Sequence, residues 1–167
     1  MNGPNAVTAK QMSATITLDL QVMPDANKKN IPKKQQMQDW ASRALSIENR
    51  DSAELCIRVV GKAESQSLNR QYRGKDKPTN ILSFPCQLPE DVNLSLLGDL
   101  VVCESVVTEE AAAQNKTLAA HWAHMIIHGT LHLLGYDHEL ESQAQIMEGL
   151  EIELLRELGI ANPYQIA

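Results

Sequence analysis

All five histidines of this 167-residue chain fall between His121 and His138, in the run HWAHMIIHGTLHLLGYDH. Their spacing restricts the fold. On a helix, His128 and His132 stand about 40° apart around the axis and one turn apart along it, so both rings can reach one ion. His124 lies two turns from His132, roughly 12 Å along the axis, too far to converge on the same ion. A third ligand therefore requires the chain to turn back. Gly135 comes just past the last apolar helical residues, where a glycine in the left-handed conformation commonly ends a helix. His138 can then swing round to the metal. The segment predicts a helix, a glycine stop and a returning loop.

The frame HGTLHLLGYDH matches the spacing of the HExxHxxGxxH motif of metzincin-type sites at His128, His132, Gly135 and His138. It departs from that motif at Gly129, where those proteases carry the glutamate that serves as general base. Peptide hydrolysis by that route lacks its base here. Three neutral imidazoles with an open fourth position describe a catalytic zinc better than a structural one, which closes with four protein ligands. One Zn2+ ion is expected, since imidazole ligation favours zinc among divalent metals. Such an ion lowers the pKa of water and polarises a phosphoryl or carbonyl oxygen, so hydrolysis remains available without the glutamate. A merely solvated histidine face would explain neither the spacing nor the glycine.

The neighbouring groups read less sharply. His124 shares a face with His128 and suits either a role facing substrate or behind the metal, or that of a satisfied structural histidine. His121 is expected to be solvated. Asp137 could hydrogen-bond a ligand imidazole or act as a base, and it could equally form the turn.

The formal net charge of −6 argues against coating nucleic acid by bulk attraction, so any such contact needs a local basic patch. Arg70, Arg73, Lys75 and Lys77 provide a candidate, relieved only by Asp76. A guanidinium fork suits a bidentate phosphate contact, which makes Arg73, at its helix end beside Gly74, the first choice. A solvated basic turn at a helix C-terminus is the alternative.

Along the chain, residues 1–13 are polar and aperiodic and read as a flexible tail. Residues 14–167 read as one metallohydrolase domain, with no internal repeat and no linker. TITLDLQV (15–22) alternates as a half-buried strand does, and helical spacing predicts a helix over 33–47. A strand over 54–60 and a helix over 63–73 follow, the latter with Leu68 and Tyr72 four apart. A strand over 80–84 stopped by Pro85, a loop over 89–95 and a strand over 97–103 come next. Helices over 104–114, 118–134 and 139–158 complete an α/β domain, in which about five helices pack on a small mixed four-stranded sheet around a metzincin-like metal site. Cys56, Cys86 and Cys103 form no C-x-x-C pair and read as reduced thiols acting as small buried hydrophobes. No apolar run reaches the length of a membrane span, and residues 1–10 lack a signal-peptide core, so a cytoplasmic location is expected.

The metal frame, YRGKDKPTNILSFP from Tyr72 to Pro85 and LLGDLVVC from Leu96 to Cys103 together resemble the bacterial YbeY family of endoribonuclease-type rRNA maturation factors. The likeness runs from about Thr15 to Tyr164. It implies zinc at His128, His132 and His138 and a functionally important arginine at Arg73. It further implies a single-strand-preferring RNA hydrolase acting in 16S rRNA 3′-end maturation and ribosome quality control. A small-subunit ribosomal protein and an Era-type GTPase are the partners the resemblance brings with it. Two other classes stay open on the residues: a zinc peptidase or amidase, and a ribosome-assembly binding factor whose metal is structural.

Overall fold

A computed structural model describes residues 14–87 and 95–165. The proposed tail, and most of the loop expected over 89–95, lie outside the described residues. Period-two alternation yields β1 (Thr15–Val22), which buries Ile16 and Leu18 and exposes Thr15, Thr17 and Asp19. β2 (Ser52–Val60) and β4 (Leu96–Cys103) are the inner strands, and β3 (Ile81–Pro85) lies at one edge, in the order β1-β2-β4-β3. The first three pairings in space are β1 with β2 and β2 with β4, both parallel, and then β3 with β4, antiparallel. Parallel neighbours need crossovers. α1 (Lys34–Leu45) makes the first, and α2 (Lys62–Arg73) with β3 makes the second. α3 (Glu104–Ala113), α4 (Leu118–Leu133) and α5 (Glu141–Glu157) follow, giving the expected mixed four-stranded sheet with five α-helices among the described residues. Pro85 belongs to β3 and pairs with Gly98, a position a proline tolerates because it ends an edge strand.

One face of the sheet, with Ile16, Leu55, Ile57, Leu100 and Val102, packs against Trp40, Trp122, Ile126, Leu131, Met147 and Leu155 from α1, α4 and α5. Each large side chain removed from water there contributes about 1.5–3 kcal/mol. α4 is buried almost all round, as its apolar sequence demands. Thr117 caps it, the hydroxyl accepting from the Ala120 N–H at 3.1 Å. A smaller cluster of Val60, Leu82 and Val101 lies on the other face, with Leu68 of α2 and Phe84 of β3 against it.

α2 differs from its sequence reading. Its buried residues are Ser65 and Asn69, and Tyr72 is 60% exposed. The reason is local. α2 packs on the polar loop that follows it: Asn69 Nδ2 donates to the Lys77 carbonyl at 2.8 Å, and the Ser65 hydroxyl donates to the Thr79 carbonyl at 3.0 Å while accepting from the Thr79 N–H at 2.9 Å. Among the described residues, no helix is long and apolar enough to cross a membrane.

Candidate metal centre and active site

α4 carries His128 and His132 one turn apart, their ring centroids separated by 4.7 Å. The helix stops where the sequence says it must. Gly135 takes φ 104°, its N–H donates to the His132 carbonyl at 3.0 Å, and the Tyr136 N–H donates to that of Leu131 at 3.1 Å. The Tyr136 hydroxyl then donates to Glu48 Oε1 at 2.9 Å, tying the returning chain to the turn after α1. His138 comes back to stand 4.9 Å from His132 and 5.9 Å from His128 between centroids. One potential ligand atom from each of the three rings lies within 4.8 Å of the other two.

The chemistry of the trio fits a metal. Nε2 of His132 is buried without a hydrogen-bond partner. Burial first, and the neighbouring His128 and His138 second, push this imidazole down to about 4, outweighing the Asp137 charge and a hydrogen bond with the Tyr136 backbone. At neutral pH it is therefore uncharged, and an unpartnered buried nitrogen is costly unless something accepts its lone pair. A cation shared by His132 with His128 and His138 would do so.

Behind the trio stands a carboxylate that sequence reading missed. Glu151, fully buried on α5, lies beside His128 Nδ1 through Oε1 and accepts from the Tyr164 hydroxyl through Oε2. Burial alone would raise its pKa, but the nearby His124 imidazole and hydrogen bonds from His128 and Tyr164 hold it near 2. Tyr164 is pushed upward in turn, by burial and by Glu151. A signal was present. Glu151 sits four residues from both Met147 and Leu155 on the stripe that α5 buries, where an unpaired glutamate does not belong.

Arg73 reaches the same place from another element. It joins Ser83, Pro85, His132, Gly135, Tyr136 and Asp137 around a pocket of about 240 Å³. Arg73 precedes the first histidine of the trio by 55 positions, 73 against 128, and the loop anchored by Ser65 and Asn69 brings them together. Arg70, Lys75 and Lys77 are exposed and do not line that pocket. Asp137 does line it, and its carboxylate accepts from the His138 N–H at 2.7 Å, which serves the turn.

His124 and His121 are placed elsewhere. His124 is 8% exposed, with Nε2 3.3 Å from the Tyr164 hydroxyl and 3.6 Å from Glu151 Oε1. Burial lowers its pKa despite Glu151. The expectation that His121 is solvated is overturned: it is 2% exposed and meets Glu110 Oε1 at 2.9 Å. The all-round burial of α4 encloses it between α3 and the C-terminal segment. Both histidines border a separate cleft of about 1020 Å³. The cysteines are unpaired. Cys103 is buried, whereas Cys56 and Cys86 are only partly so. Burial, with Asp99 and Asp19 beside it, raises Cys56 to about 11, which leaves it an unreactive thiol.

The family model described as Endoribonuclease YbeY matches residues 21–159. Among solved structures, the chain is similar to a protein of Thermotoga maritima determined in solution, at 26% identity and a TM-score of 0.50, over 84% of this chain and 92% of that one.

Proposed function

Because the chain belongs to the YbeY endoribonuclease family, whose work is rRNA maturation, we propose that it is a one-zinc, single-strand-preferring hydrolase of RNA. Its substrate in this reading is the 3′ end of 16S rRNA, with a further part in ribosome quality control. The observation that carries the reading is the pocket in which Arg73 meets His132. A guanidinium there can take two non-bridging oxygens of a phosphodiester at once, fixing it beside the imidazole trio. Zinc held by His128, His132 and His138 would supply Lewis-acid chemistry to that phosphodiester. Glu151, without access to solvent, positions His128. Among the described residues, Asp137 is the one carboxylate lining the pocket, and it belongs to this proposal as a hydrogen-bonding neighbour of the ligands. Arg70, Lys75 and Lys77 belong to it as contacts to more distant substrate, whereas His124, expected from sequence to face substrate, is buried against Glu151 and Tyr164 and stands behind His128 instead. A narrow site accepts a splayed single strand more easily than a duplex.

The same reading takes residues 14–167 as one domain with 1–13 as a tail, a cytoplasmic location, and a small-subunit ribosomal protein and an Era-type GTPase as partners. Metzincin spacing favours a peptidase as the second reading, but the residue in the base position is Gly129, which faces the sheet: a Cβ there would lie 2.7 Å from Ile81 Cδ1.

The test is zinc-loaded protein on single-stranded RNA, with Arg73→Glu and His128→Ala in parallel. Cleavage by the wild type, lost in both variants while both stay folded, is the expected result. Digestion of casein with RNA left intact would reverse the assignment. An unfolded His128→Ala would point to a structural metal. A 2′,3′-cyclic phosphate on the product would identify the substrate's own 2′-hydroxyl as nucleophile.

A further inference from the structure

Tyr72 is 60% exposed on the last turn of α2. Its ring meets that of Phe84 in a T-shaped contact, centroids 5.0 Å apart and planes at 70°. Phe84 is itself partly buried against Val60, Leu82 and Val101, so the pair stands on a fixed base. The other two tyrosines differ. Tyr136 donates its hydroxyl to Glu48 and Tyr164 to Glu151, whereas the ring contact of Tyr72 is with Phe84.

Position gives the pair meaning. Ser83 and Pro85 line the pocket that holds Arg73 and His132, and Phe84 between them points to the opposite face of the sheet. β3 is an edge strand. Passing from the pocket to the aromatic pair therefore means crossing a single strand, and Arg73, which lines the pocket, is the residue after Tyr72. Arg70, Lys75 and Lys77 are exposed on the same end of α2 and its loop. Solvated cations flanking an exposed aromatic ring are the components by which proteins hold single strands: charge for the backbone, a ring face for the base.

We propose that Tyr72, braced by Phe84, is a stacking platform for an unpaired base one or two nucleotides from the phosphodiester held at Arg73. This inference rests on the reading of the Arg73 pocket as an RNA site and adds a subsite to it. An exposed tyrosine that merely shelters Phe84 is the bland alternative. Stacking separates the two, because it depends on the base and not on the backbone.

The experiment measures equilibrium binding of the zinc-loaded protein, by fluorescence anisotropy, to a labelled 2′-O-methyl oligoribonucleotide shown by gel to stay intact. A base-free strand of equal length is the comparison. Tyr72→Ala should bind the base-containing strand roughly 5- to 150-fold more weakly. Its binding to the base-free strand and its salt dependence should match the wild type. Tyr72→Phe and Tyr72→Trp should retain wild-type affinity. Arg73→Gln should instead weaken both strands and flatten the salt slope by about 0.7. Wild-type affinity in Tyr72→Ala, or equal losses on both strands, overturns the platform while leaving the RNA reading intact. A wild type that binds neither strand removes the RNA reading and the platform with it.

Discussion

Glu151 Oε1 accepts from Nδ1 of His128, twenty-three residues earlier in the chain. Because this carboxylate is held ionised, near 2, it can only accept. The ring proton therefore sits on Nδ1 and the lone pair on Nε2. Partners of this kind fix the tautomer of a ligand histidine, and their loss typically costs 10- to 100-fold in metal affinity. Glu151→Gln, which keeps the volume and removes the charge, should weaken zinc binding by about tenfold, read by competition with a chromophoric chelator. Unchanged affinity would show that Glu151 is there for packing alone.

Gly129 is a glycine for steric reasons. A Cβ would stand 2.7 Å from Ile81 Cδ1 and 2.8 Å from Leu100 Cδ2, both ends of flexible side chains. Gly129→Ala should therefore be tolerated at a cost of about 0–2 kcal/mol, since helix propensity offsets some of the overpacking. Gly129→Glu would restore the protease motif on paper, yet it forces a carboxylate against the sheet and should destabilise by several kcal/mol. Thermal melts and a casein assay decide it. A stable, proteolytic Gly129→Glu would defeat this account of why the motif departs.

Local patterns carried most of the architecture. Alternation in TITLDLQV and the histidine period in α4 are properties of neighbouring residues, and both reappear in the fold. Gly135 likewise declared its turn. What stayed illegible depends on pairings across long stretches of chain. Glu151 reaches His128 only after α5 folds back along α4. Nothing within α2 says that Ser65 and Asn69, and not Tyr72, will face inward, because their partners are backbone atoms of a loop. His121 misled for a related reason: its polarity suggested water, and Glu110 on α3 supplies the compensation instead.

Ser65 offers a direct probe of that loop. Its hydroxyl serves both the N–H and the carbonyl of Thr79 and is 2% exposed. Ser65→Ala leaves two backbone groups short of a partner, at about 1–3 kcal/mol. The melting temperature should fall by several degrees. Because Gly74 to Asn80 is the segment released, the KM for single-stranded RNA should rise more than kcat falls. A normal KM in a destabilised protein would mean that the loop holds the fold and not Arg73.

Glu110 should contribute to the acid sensitivity of the region around α3 and α4. Burial would raise its pKa, but the hydrogen bond with His121, and a second from Asn80, pull it below the ordinary 4.5. A carboxyl group with a depressed folded value favours the native state fully above its unfolded value, and that contribution disappears as pH falls through the folded one. Wild-type protein should therefore lose stability between pH 6 and pH 3 more steeply than Glu110→Gln, which has no proton to take up at this position. At pH 6 the variant should be the weaker of the two, since its amide cannot match a carboxylate as acceptor for His121, and towards pH 3 the gap should close. Urea midpoints across that range give the comparison. Parallel curves would mean that Glu110 binds protons equally in both states, contrary to its contacts with His121 and Asn80.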